Sequence, residues 1–221
     1  MTHTRSCYSA QAFLLLAALL LMAGCQTVYY GAMEKIGVEK RDILVNRVDD
    51  AREAQQEARE QFSSALDKFI AVTNYSGGDL EKQYRLLKDE YEESKTQAET
   101  VHDEIVSVED VANALFKEWS DEIKLYSSPE LRRASQKRLN TTQKSYSKLM
   151  LAMKTAEKKI GPVLAAFNDR VLFLKHNLNA NAIASLKTQG QSVETDIKSL
   201  IKDMNKSIAE ADSFIKAMSN E

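Results

Sequence analysis

Cysteine, proline and glycine are scarce in this chain of 221 residues: two, two and seven respectively. Both cysteines, Cys7 and Cys25, fall at the start, so the remainder offers no disulfide, thiol nucleophile or cysteine metal site. There is no glycine loop to cradle a phosphate, and no serine, threonine or aspartate stands in a recognisable nucleophile motif. Aromatic residues make up only 7% of the chain and the formal net charge is −2. That balance argues against a nucleic-acid binder, which shows a basic surface. Long apolar runs are missing too: the longest, Phe13 to Met22, falls well short of the roughly 20 residues that a membrane-spanning helix needs.

That short run has a layout of its own. A basic start at Arg5, an apolar middle and small residues Ala23 and Gly24 are the parts of a secretory signal. It ends Met22-Ala23-Gly24-Cys25, which resembles a bacterial lipobox, with Met22 where leucine is usual. The expectation is a signal peptide over residues 1–24 and a lipidated Cys25 as the first residue of the mature chain. Several acyl chains, each methylene worth about 0.8 kcal/mol on burial, would hold such a protein to a membrane. Gln26 stands where an inner-membrane retention signal has aspartate, which points to the outer membrane and its periplasmic side.

Residues 25–221 then read as a single helical domain. Low proline and glycine, with 28% charged residues, favour long helices. The breakers mark the boundaries. Gly77-Gly78-Asp79 and Ser127-Ser128-Pro129-Glu130 are turns, with Asp79 and Ser128 as N-caps. Pro162 predicts a kink or an end, and Asn177-Leu178-Asn179 and Gly190-Gln191-Ser192 are softer interruptions. The predicted helices are therefore about 30–74, 79–126, 130–160 and 163–219, the last with a break near 177–191. Between breakers, apolar residues alternate spacings of three and four. Leu44, Val48, Ala51, Gln55, Ala58, Phe62, Ala65, Phe69 and Val72 are one such stripe, with Gln55 its polar lapse. After Pro162 the stripe reads Leu164, Phe167, Val171, Leu174 and Leu178. That alternation is the 3.5-residue period of a left-handed supercoil. The predicted fold is all-α: an elongated antiparallel coiled coil, or long-helix bundle, of three to four helices.

Charge supports the pairing. Asp79 to Tyr126 holds 14 acidic and 6 basic residues, while Glu130 to Ile160 holds 2 acidic and 9 basic. Arms of opposite sign select each other, although each exposed pair contributes little. The basic cluster Arg132, Arg133, Lys137 and Arg138 reads first as the complement of the acidic arm and second as a grip for anionic lipid or cell-wall carboxylates.

Chemistry is sparse. Glu99 and His102 have the Glu-x-x-His spacing of di-iron bundles, but such sites need a second copy of the motif and two more glutamates. His176 with Met150 or Met153 is a conceivable haem pair, yet methionine on a helical stripe is ordinarily core filler. No catalytic, metal or cofactor residue is expected, and no cofactor.

The stretches AMEKIGVEKRDILVNRVDDAREAQQEAREQF (Ala32 to Phe62) and VLFLKHNLNANAIASL (Val171 to Leu186) resemble a family of Gram-negative lipoproteins known as a domain of unknown function, number 2959. The resemblance covers the mature chain and implies a helical, signal-bearing outer-membrane lipoprotein. It assigns no catalytic residue. Within those stretches, Lys40-Arg41-Asp42 and Lys175-His176-Asn177 are polar patches beside the apolar stripe and, with Arg132 and Arg133, are the candidate contact surfaces. The expected function is a non-enzymatic, lipid-anchored scaffold or adaptor. It would bind an envelope protein or the cell wall, with a partner helix or a second copy of the chain completing the apolar seam. The alternative is a membrane-binding or membrane-shaping bundle lying along the bilayer.

Overall fold

A computed structural model describes residues 39–75 and 79–219, and all of their regular structure is α-helical. Four helices follow in order: α1 (Lys40–Thr73), α2 (Leu80–Ile123), α3 (Pro129–His176) and α4 (Ala180–Ser219). Cys25, the apolar run before it and the glycine pair at 77–78 lie outside the described residues. No described helix is long and apolar enough to cross a membrane. The chain divides into two units, Met1–Ile43 and Leu44–Glu221, and the packing that follows is that of the second.

The caps form where the sequence puts them. The Asp79 carboxylate accepts from the Lys82 amide at 3.1 Å, and the Ser128 hydroxyl accepts from the Leu131 amide at 3.3 Å. Each satisfies one amide donor that the first helical turn leaves open. Pro129 occupies the start of α3, where its missing N–H costs nothing.

α3 corrects the expected boundaries. It does not end at 160 but runs on through Pro162 to His176, 48 residues or about 72 Å. Pro162 and Gly161 lie on the exposed face, so the carbonyl that loses its partner can bond water. Gly161 carries no Cβ to crowd the proline ring. On the opposite face Ile160, Val163, Phe167, Val171 and Leu174 are all buried. Val163, not Leu164, therefore continues the stripe. The real interruption is Asn177-Leu178-Asn179. Asn177 donates its side-chain amide to the Phe173 carbonyl at 2.9 Å, and Asn179 accepts from the Ala182 amide at 3.1 Å. Side chains that bind nearby backbone in this way compete with helix continuation.

Gly190, expected as a soft break, lies inside α4 and is buried. Ile183, Leu186, Gly190, Val193, Ile197, Leu200, Met204, Ser207, Ala211, Phe214 and Met218 are all buried, at spacings that alternate three and four. Ile208 and Ile215, one residue on from Ser207 and Phe214, are only half-buried.

Cross-links show how the helices run. Arg59 donates to Asn205 at 3.1 Å and Arg52 lies 3.6 Å from Asp212, so α1 and α4 run in opposite directions. Lys148–Glu210 at 2.8 Å and Lys159–Asp203 at 2.5 Å make α3 and α4 antiparallel too. Trp119 Nε1 donates to Ser135 Oγ at 2.9 Å, and Lys154 meets Glu109 at 2.5 Å, opposing α2 and α3. Gln61 reaches Glu90 at 3.0 Å, joining α1 to α2. One layer draws on all four helices. Phe167 of α3 takes Phe69 of α1 and Tyr91 of α2 edge-on, with ring centroids 6.2 and 6.3 Å away. Gly190 of α4 abuts Phe69.

Candidate contact surfaces

The polar patches of the second unit do not gather into one site. Lys40, Arg41 and Asp42 form the first turn of α1. Lys175 and His176 form the last turn of α3, where their position suits the negative helix end, and Asn177 caps it. Arg132 and Arg133 stand at the opposite end of α3, about 65 Å from Lys175 along the helix axis.

Two members of the basic cluster, Arg133 and Lys137, do not pair with the acidic arm. Arg132 donates to the Tyr126 carbonyl at 2.6 Å. Arg133 and Lys137 are exposed and make no ion pair with any described residue. Further along α3 the cations divide: Lys154 pairs with Glu109 of α2, while Lys148 and Lys159 pair with Glu210 and Asp203 of α4.

His102 of α2 and Glu157 of α3 meet at 2.6 Å across an open groove of about 600 Å³. The hydrogen bond to Glu157, helped by the charges of Glu157 and Asp103, raises the His102 pKa above its usual 6.5. Glu99 lines the same groove. Among the described residues no three histidine, cysteine or carboxylate side chains come together to hold a metal ion. Tyr146, packed edge-on against Phe116 at 5.3 Å, is pushed up to about 12 by burial and by the charges of Glu109 and Asp110.

A second groove, of about 730 Å³, runs between α3 and α4. Leu151, Pro162 and Val163 supply its apolar surface, and Lys154, Lys158 and Lys159 line it with positive charge against the single carboxylate of Asp196. Leu151 is 70% exposed, and Lys158 makes no ion pair among the described residues. Sequence reasoning passed over Leu151, although a signal was present. Leu149, Met150 and Leu151 are consecutive, and three successive helical residues cannot all face one core. Leu149 and Met150 go inside and Leu151 is left out.

Long helices bearing open surface grooves define a helical-bundle protein with surfaces suited to contact. Its family is also shown. The model of the family described as "Protein of unknown function (DUF2959)" matches residues 29–218, and the chain belongs to that family. No curated protein and no solved structure gives a significant match.

Proposed function

We propose that this protein is a lipid-anchored, non-enzymatic scaffold or adaptor of the bacterial envelope, and that its α3–α4 groove receives an amphipathic, acidic helix of a partner protein. The observation that carries the reading is Leu151, a large apolar side chain held 70% exposed on the groove with the unpaired Lys158 nearby. An apolar stripe on a partner helix would cover Leu151 and Val163, and its acidic edge would meet Lys158. Covering that leucine removes apolar surface from water, worth about 25 cal/mol per Å².

The elongated antiparallel coiled coil of the proposal is supported by the unbroken three-four burial of α4 and by the opposed cross-links. The address is supported by the ten-residue apolar run ending in Ala23-Gly24-Cys25, with Gln26 favouring the outer membrane and a periplasmic orientation. Lipid at Cys25 would fix one end, and the helices would present the groove at a set place.

Two experiments test this reading. Cells fed labelled palmitate should label the wild-type chain and not Cys25→Ser; label on both, or on neither, removes the anchor. A photo-crosslinking residue at Leu151 should give a discrete protein adduct in intact cells, weakened at least tenfold by Lys158→Glu. The same crosslinker at Glu57, exposed on α1, should not give it. Identical adducts at both positions, or none at Leu151, would overturn the groove assignment.

A further inference from the structure

The turn between α2 and α3 exposes what a soluble turn has reason to hide. Leu125 is 82% exposed and Leu131 58%, and Tyr126 between them is also exposed. Turns of this kind are ordinarily built from small polar residues. Nor is the segment a loose linker whose leucines merely drift into water. The Leu125 amide donates to the Glu122 carbonyl at 2.9 Å, and the Arg132 amide to the Ser128 carbonyl at 3.0 Å. Ser128 caps α3, and the Arg132 guanidinium clamps the Tyr126 carbonyl. Behind the turn, Trp119 bonds Ser135 and ties the two helices together. The fold thus presents these side chains on a turn fixed by hydrogen bonds.

Charge around that end is mostly basic on the α3 side, while the exposed Asp121 and Glu122 close α2. Lys124 to Arg138 contains five basic residues and a single acidic one, Glu130. Lys124 is engaged by Asp121 and Arg132 by the backbone, but Arg133 and Lys137 are exposed with no ion pair among the described residues. An apolar turn with two unpaired cations, Arg133 and Lys137, close by matches an interface that is greasy inside and anionic at its surface. Leucines enter the acyl boundary, tyrosine suits the headgroup level, and arginine and lysine meet phosphates.

We propose that the α2–α3 turn is an end-on docking site for an anionic phospholipid bilayer, with Leu125 and Leu131 inserting and Arg133 and Lys137 gripping headgroup phosphates. This contact is separate from the α3–α4 groove and from the acylated cysteine, and it differs from a bundle lying flat on a membrane.

The test uses the full chain carrying Cys7→Ser and Cys25→Ser, with Leu125→Cys as its sole cysteine, labelled with an environment-sensitive fluorophore. Vesicles containing 30% phosphatidylglycerol should shift the emission to the blue. Half-saturation should need at least tenfold more lipid when the vesicles are pure phosphatidylcholine or when salt is raised to molar strength. Arg133→Glu with Lys137→Glu should weaken the shift at least tenfold; helicity should be unchanged, since neither side chain is buried or paired. The same label at Glu57, exposed on α1, controls for lipid contact along α1 and should stay unshifted. No shift at 125 on anionic vesicles, an equal shift on neutral ones, or one indifferent to the charge reversals would overturn the proposal. A shift produced only by added envelope protein would do the same and assign the turn to a protein partner.

Discussion

Phe69 lies so close to Gly190 that a Cβ built on residue 190 would stand 2.8 Å from Phe69 Cε1 and 3.1 Å from its Cζ. Phe69 has little room to yield, being 2% exposed and set edge-on against Phe167. Glycine is therefore present at this buried α4 position because a ring from α1 occupies the space of a side chain.

Gly190→Ala should destabilise the fold by about 1–3 kcal/mol through overpacking, although alanine is the better helix former by about 1 kcal/mol. Phe69→Leu added to it should recover part of the loss. Urea-unfolding midpoints of the two single variants and the double variant would check this, and additive losses would contradict a shared space.

Gln55 is fully buried, and neither its side-chain oxygen nor its nitrogen has a hydrogen-bond partner. A buried amide left unmet costs about 1–3 kcal/mol. Gln55→Leu should accordingly raise the unfolding free energy by that amount, seen as a higher urea midpoint. Because a lone polar residue in an apolar seam can select helix register, the gain should come with broader side-chain NMR lines if Gln55 serves that role.

Pro162→Ala should stabilise α3. The ring occupies an exposed interior position, where it costs a helix about 3 kcal/mol, and the fold has absorbed part of that cost. A rise in melting temperature with added helicity by circular dichroism is the expected outcome.

The His102–Glu157 pair gives a pH dependence of definite sign. The folded chain holds the histidine proton more tightly than the unfolded chain does, because Glu157 accepts a hydrogen bond from it. Its contribution is complete below pH 6.5, declines as pH climbs through the raised folded value, and is absent above it. Melting temperature should fall across that window in the wild type and fall less in His102→Gln. Both groups face solvent, so the difference will be small and reduced by salt.

The stripe from Leu44 to Val72, the caps at Asp79 and Ser128 and the turn at Asn177 were legible because each rests on local rules of spacing or hydrogen bonding. Pro162 and Gly190 misled for the opposite reason: their meaning is tertiary. Continued burial from Ile160 to Leu174 outweighs the proline, and a ring from another helix explains the glycine. The contact surfaces were less legible still. Polar patches drew notice, whereas the exposed Leu125, Leu131 and Leu151 sit in sequence beside core residues and differ from them only in which way the helix turns them.

Arg59 and Asn205, bonded in the fold, are 146 residues apart in the chain. At about 5–20 residues per second, a ribosome that has released α1 needs roughly 7–29 s more before α4 exists. Throughout that wait the oily side of α1, Phe62 and Phe69 included, has no α4 to cover it. A nascent chain built this way calls for a chaperone that shields its first helix until its last one emerges.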